Sequence, residues 1–216
     1  GLYITAEDVG VGEADMAIVA RQTRFASGVA MQGGIGGNPS PSTARGVCIG
    51  LETAARMALA RTDLEGLRVA VQGLGGVGFN LCRELHDRGA HLTVADIAET
   101  RVQQAQDIFG AERSGVEDIL LADVDVVAPC ALGGAVTKDV ALKLRAKVVA
   151  GGANNQIATD DAGHTLFERG ITYAPDYVVN AGGIIMVTAE YAGTSSRGDV
   201  DAAIDRIGDR ICTILE

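Results

Sequence analysis

The sequence predicts an α/β fold with a mostly parallel sheet and helices on both faces, and three features predict it. An apolar run, Leu67-Arg68-Val69-Ala70-Val71-Gln72, ends in Gly73-Leu74-Gly75-Gly76-Val77-Gly78 and passes into a helical pattern, which reads as strand, tight turn and helix. Short β-rich runs recur down the chain with helical segments between them, the pattern of parallel strands joined by right-handed crossovers. A second strand, Ala90-His91-Leu92-Thr93-Val94-Ala95, ends at Asp96, 18 residues beyond Gly78. That spacing is near the ~20 residues between a dinucleotide-binding glycine turn and its ribose carboxylate. Together they specify a doubly wound, Rossmann-type sheet.

Each glycine of the turn has its own physical task. Gly73 permits the turn, Gly75 lets the backbone approach a pyrophosphate, and Gly78 lets the new helix lie close to its strand. The free N–H groups of the helix start then face the phosphates. A chain with 29 glycines also produces such spacings by chance. The competing reading is a glycine-rich turn that binds nothing, with Asp96 as a strand-end cap.

The 216 residues suffice for one large α/β domain, or for one domain with attached pieces of another. No apolar run approaches the ~20 residues of a membrane helix. The formal charge of −10, with 18 scattered basic residues, argues against nucleic acid as a partner. Cys48, Cys82, Cys130 and Cys212 form no Cys-x-x-Cys and no metal-ligand spacing, so reduced thiols, no metal and a cytoplasmic location are expected. His86, His91 and His164 stand in polar surroundings with no acid–base signal. The opening Gly1-Leu2-Tyr3-Ile4-Thr5 reads as the middle of a protein.

In chain order, residues 1–38 mix a short apolar run with the loops Val9-Gly10-Val11-Gly12 and Gly33-Gly34-Ile35-Gly36-Gly37, neither of them independent domain material. Asn38-Pro39-Ser40-Pro41-Ser42 starts a helix, with Ser40 as N-cap and Pro41 first in the helix. Val47, Leu51, Ala54, Ala55 and Ala58 give that helix one buried face. Beyond Asp96, Val102, Ala105, Ile108 and Phe109 mark another helix, closed by Gly110. Val124–Ala128 is a third strand that ends at Pro129, which has no N–H for a ladder. Thr137 caps a short helix, Lys147-Val148-Val149-Ala150 is a fourth strand and Ile171-Thr172-Tyr173 a fifth. Asn180-Ala181-Gly182-Gly183 opens the next helix. Val200, Ala203, Ile204, Ile207, Ile211 and Leu215 then line one face of a single C-terminal amphipathic helix that packs on the core.

In an open parallel sheet, ligands bind outside the carboxyl ends of the strands. Here those ends lead into Pro129-Cys130-Ala131-Leu132-Gly133-Gly134, Gly151-Gly152-Ala153-Asn154-Asn155-Gln156 and Asn180–Gly183. Small residues let a flat ring approach, and asparagines offer the donor and acceptor that a nicotinamide carboxamide needs. Asn154, Asn155 and Asn180 equally suit turns and helix caps. No histidine stands where it would activate Cys130, so that thiol reads as structural.

These stretches, with Tyr3-Ile4-Thr5-Ala6-Glu7-Asp8-Val9-Gly10, Gly37-Asn38-Pro39-Ser40-Pro41-Ser42-Thr43-Ala44 and Tyr173-Ala174-Pro175-Asp176-Tyr177-Val178-Val179-Asn180, resemble the amino-acid dehydrogenase family of glutamate, leucine, valine and phenylalanine enzymes, the leucine dehydrogenase branch most of all. The resemblance implies NAD as cofactor and reversible oxidative deamination of an L-amino acid. It also implies a homo-oligomer when the protein is complete. It makes Asp8 an active-site carboxylate that works with a lysine, and sets Thr43, Asn155 and Asn180 near the nicotinamide. Ala131 would lie by the cofactor and Asp96 would hold the ribose. Ala6, Ile184 and Val187 would line the substrate side-chain pocket.

The family's two functional lysines have no counterpart, because Lys138, Lys143 and Lys147 are the only lysines and all lie in the Rossmann part. Residues 1–38 are therefore expected to be the hinge or edge of an N-terminal substrate domain, and residues 39–216 the NAD-binding domain. Such a chain alone would be inactive in deamination. The alternative is an NAD-binding regulatory module without turnover. Asp96 predicts NAD over NADP, since Arg101, the first cation after it, stands one helical turn on and too far to offset its repulsion of a 2′-phosphate. No lysine or arginine occurs between Arg169 and Arg197. A buried glutamate side chain would therefore lack a partner here, and leucine ranks first, then the other branched amino acids, then phenylalanine.

Overall fold

The computed structural model describes residues 3–8, 10–29, 35–193 and 195–216. Val9 and Gly33-Gly34 of the two early glycine-rich loops lie outside the described residues. The centre is a six-stranded sheet of β1 (Arg68–Gln72), β2 (His91–Ala95), β3 (Glu112–Arg113), β4 (Val126–Pro129), β5 (Val148–Val149) and β6 (Thr172–Tyr173). Its order is β3-β2-β1-β4-β5-β6, and every pairing is parallel. The strand order reverses between β1 and β4, which makes that the place where a crevice opens at the carboxyl ends.

Alternation along the strands builds two cores. Val69 and Val71 of β1, Val126 and Ala128 of β4 and Val148 of β5 point to one face, while Ala70, Val127 and Val149 point to the other. Burial on both faces is why these strands read as continuous apolar runs. The first face is covered by α2 (Ser40–Leu59), α3 (Gly76–His86), α4 (Glu99–Phe109), α7 (Asp176–Val179), α8 (Gly182–Ala192), α9 (Arg197–Asp205) and α10 (Ile207–Leu215). The second is covered by α5 (Lys138–Lys143), α6 (Asp160–Glu168) and a 3₁₀ turn at Ile119–Leu121. A further helix, α1 (Glu13–Ala20), precedes them. The fold class is thus the one the sequence predicts.

Several local expectations are corrected. The sheet has a sixth strand, β3, whose two residues are exposed and charged at the edge, so no apolar pattern marks it. The single C-terminal helix is two, broken at Arg206. Val200, Ile204, Ile207 and Ile211 all still face the core, so their spacing does not reveal the break. The turn lets α10 run along α2, where a Cβ added at Gly208 would lie 3.1 Å from Thr53 Oγ1 and 3.2 Å from Ile49 Cγ2. Ser40 is the first helical residue rather than the cap, and Asn38 Oδ1 accepts its N–H at 2.8 Å. Asn180 follows α7 as its C-cap and does not open α8, which starts after Ala181. Pro129 is the last residue of β4, where it needs no donor because it pairs at the strand end. Thr137 does cap α5, accepting the Val140 N–H at 3.2 Å, and Gly110 closes α4 with a φ of 63°. Among the described residues no helix is long and apolar enough to cross a membrane.

Candidate functional site

The glycine turn stands at the switch point. Gly73 has a φ of 89°, and its N–H donates to the Ala95 carbonyl at 2.8 Å. A Cβ added there would lie 2.8 Å from that of Ala131, so the loops after β1 and β4 touch. A Cβ at Gly78 would collide with the Gly73 carbonyl, which is how closely α3 lies on its strand. Gly75 differs from both. Its backbone suits any residue, with φ −67°, and an added Cβ would meet nothing within 4 Å. Open space therefore lies before the first turn of α3, whose N–H groups have no acceptor within the helix.

Asp96 ties this turn down. Its Oδ2 accepts the Leu74 N–H at 2.6 Å and its Oδ1 the Ala98 N–H at 2.7 Å, with the side chain only 7% exposed. Asp96 is thus a strand-end cap, and two oxygens still retain lone pairs for a further donor. Arg101 Nη1 lies 4.0 Å from its Oδ2. This overturns the expectation of no cation near enough to matter, because one turn of α4 brings residue 101 back over the strand end, within reach of a long side chain.

After β5 the loop is held by side chains that sequence reasoning missed. Fully buried Gln156 donates through Nε2 to the carbonyls of Gly151 and Ala153 at 2.6 and 2.9 Å. Its backbone N–H donates to Asp176 Oδ2 at 2.9 Å, and Asp176 Oδ1 accepts the Tyr177 N–H at 2.6 Å. The Asp176 N–H reaches the Tyr173 hydroxyl at 3.3 Å, and burial pushes the ionisation of that phenol up. The only signal for these two was a polar residue at the end of the asparagine pair and another after Pro175. Asn180 Nδ2 donates to Asn154 Oδ1 at 2.6 Å and to the Gly152 carbonyl at 3.4 Å. The structure therefore brings Asn180 to Asn154. Asn155, exposed with a φ of 52°, accepts the Gly134 N–H on its carbonyl at 2.7 Å, as a turn former does. Cys130 Sγ accepts the Gly152 N–H at 3.3 Å, and burial pushes its thiol up to about 11, so it is protonated at neutral pH.

Three helix starts meet here. A Cβ at Gly76 would lie 2.5 Å from Ser40 Oγ, and Cβ atoms at Gly182 and Gly183 would collide with the Ser42 carbonyl and Thr43 Oγ1. Thr43 Oγ1 donates to the Pro39 carbonyl at 3.1 Å. The first turns of α2, α3 and α8 thus adjoin, with their positive dipole ends on one side.

The N-terminal segment docks on α8. Thr5 and Ala26 form a parallel bridge, and the Ser27 N–H donates to the Thr5 carbonyl at 2.8 Å. Ser27 Oγ donates to the Val187 carbonyl at 3.0 Å, and Glu190 accepts the N–H groups of Gly28 and Val29 at 2.8 and 3.1 Å. Ala6, next to Thr5, and Val187 are both half-buried, while Ile184, a turn earlier on α8, is 63% exposed. Asp8 is exposed and joined to Val11 by backbone bonds of 3.2 and 2.9 Å. Among the described residues no group of three His, Cys, Asp or Glu could hold a metal ion.

With this geometry in place, comparison with known proteins is decisive. The model of the Glutamate/Leucine/Phenylalanine/Valine dehydrogenase family matches residues 94–213. The chain belongs to that family. As a family member it is 49% identical over 193 residues to the leucine dehydrogenase of Bacillus subtilis (strain 168), across 89% of this chain and 53% of that protein. It is 45% identical over 216 residues to the leucine dehydrogenase of Bacillus cereus, across 100% of this chain and 59% of the relative. The crystal structure of L-tryptophan dehydrogenase from Nostoc punctiforme superposes with a TM-score of 0.81 at 35% identity, covering 96% of this chain and 59% of that one. The chain thus spans 53% to 59% of the length of these dehydrogenases. The family match runs from β2 into α10 and takes in Asp96, Ala131, the asparagine loop and α8; the glycine turn lies ahead of it.

Proposed function

We propose that this chain is the NAD-binding portion of an amino-acid dehydrogenase that deaminates a small apolar L-amino acid, leucine by preference, to its 2-oxo acid and ammonia. The observation that carries the reading is the free space before Gly75 at the switch point, where the open N–H groups of α3 fit a pyrophosphate. Gly73, Gly75 and Gly78 shape that cradle, and Asp96 offers its remaining lone pairs to ribose hydroxyls. Ala131, Thr43, Asn155 and Asn180 surround the nicotinamide, with Asn154 orienting the Asn180 amide so that its carbonyl stays available. When bound, the nicotinamide takes the hydride from the substrate α-carbon.

The chain's own residues then supply geometry and protons. Asp8 holds and moves a proton at its carboxylate, in concert with a lysine from outside residues 1–216. Lys138 pairs with Asp161 on α6, on the opposite face of the sheet, and so is no candidate for that lysine. Ala6, Ile184 and Val187 present an apolar pocket that leaves a charged substrate side chain without a partner. Similarity to leucine dehydrogenases supports ranking leucine first; the pocket itself separates apolar side chains less, since one methylene is worth only ~1–3 kcal/mol there.

The test uses the complete enzyme and a kcat/KM panel of leucine, isoleucine, valine, phenylalanine, tryptophan and glutamate. Leucine is expected to lead, and a tenfold preference for glutamate or an aromatic substrate overturns the pocket assignment. Asp8→Asn should lower kcat severely with NADH affinity nearly unchanged. Loss of NADH affinity instead would make Asp8 structural. Residues 1–216 alone should bind NADH and show no turnover, and measurable deamination by them would refute the division of labour.

A further inference from the structure

Glu190 is the only charged residue of α8, and it is 9% exposed. A carboxylate is costly to bury unless both oxygens find donors. Here they do: Oε2 and Oε1 accept the consecutive N–H groups of Gly28 and Val29, some 160 residues away in sequence. Gly28 itself abuts Glu7, since a Cβ added to it would lie 3.4 Å from the Glu7 nitrogen, and its φ of 82° is one that glycine adopts without strain. Asp8 follows Glu7. One turn earlier on the helix, fully buried Ser27 donates to the Val187 carbonyl, and one residue later Tyr191 stacks on Phe25 at 6.5 Å. The opposite end of α8, Gly182-Gly183, is pressed against Ser42 and Thr43. An 11-residue helix, about 15 Å of rigid rod, therefore has the nicotinamide-side residues at one end and the Asp8 segment at the other.

We propose that Glu190 is a positioning residue whose carboxylate fixes the Gly28–Val29 turn on α8 and thereby sets where Asp8 stands relative to Thr43 and Asn180. The proposal rests on the catalytic reading of Asp8. An amide cannot substitute, because its NH2 group would face one of the two N–H donors. Nor is packing at stake, because glutamine has the same shape.

The experiment measures Glu190→Gln in the complete enzyme, with leucine and leucine deuterated at the α-carbon. The expected result is a kcat lower by about tenfold or more, since small misplacements of reacting groups cost that much. A larger deuterium isotope effect on kcat is expected with it, and NADH affinity within about twofold of the parent. A purely structural role would lower the melting temperature without moving the isotope effect, and that outcome overturns the proposal, as does an unchanged kcat. Ser27→Ala, which removes the neighbouring tether, should show the same signature more weakly, and it decides the matter if Glu190→Gln does not fold. Asp8→Asn in the same series separates the two readings. An unaffected kcat there overturns the role of Asp8, whereas a severe loss there beside an unaffected Glu190→Gln overturns Glu190 alone.

Discussion

The turn after β1 and the turn after β5 touch, with Gly152 against Val77, yet they are built in opposite ways. The first is a backbone device: three glycines within six residues supply a positive φ, an open approach and a close helix contact. The second is a side-chain device: Gln156 and Asp176, 20 residues apart, hold its carbonyls and N–H groups in a buried network, and Asn180 reaches back to Asn154. A backbone device leaves its requirement in the residues that carry it. A side-chain network leaves only ordinary polar residues.

The largest expected effect falls on the backbone device. Gly78→Ala would drive a methyl group into the Gly73 carbonyl, and overpacking of this kind costs about 3 kcal/mol, read as a loss in urea unfolding free energy. A near-neutral result would show that α3 can lift from β1. Next comes Asp176→Ala, which leaves the Gln156 and Tyr177 N–H groups unmet; a loss of about 2 to 3 kcal/mol is expected, and less for Asp176→Asn, which keeps one acceptor. A cost under about 0.5 kcal/mol would mean that water replaces the network.

Gly75→Ala sharpens the contrast, because its methyl enters free space. Its melting temperature should match the parent, while NADH affinity falls about tenfold, some 1.4 kcal/mol. Unchanged affinity in a fluorescence titration would remove the pyrophosphate from this cradle. A smaller shift is expected at the strand end beyond it. Arg101→Ala removes the cation beside Asp96 and should widen the preference for NADH over NADPH by about threefold, the scale of a half-exposed ion pair. No change would show that Arg101 does not reach the ribose side.

The smallest effect lies at the opposite end of the sheet. Burial pushes the Asp125 carboxyl up, but hydrogen bonds from the Arg68 guanidinium and N–H outweigh it and hold the group below the ordinary carboxylate value. A lowered folded-state value means stability that is present above about pH 4 and lost as pH falls through the lowered value. The pair is partly solvated, so Asp125→Asn should cost less than about 1 kcal/mol at pH 7. That difference should vanish under strong acid in a pH series of denaturant melts, and a difference persisting there would assign the effect to packing.

By itself the sequence determined five of the six strands, the glycine turn, the Thr137 cap and the Gly110 stop. Each is a local backbone demand that a few adjacent residues state completely. Tertiary structure alone decided that Asn180 meets Asn154 rather than Asn155 and that Asp96 turns to Leu74 with Arg101 beside it. It alone decided too that the C-terminal helix breaks at Arg206 and that Glu190 finds two donors across the chain. The reason is physical. A polar side chain bonds whichever group packing brings within about 3 Å, and spacing along the chain does not encode that neighbour.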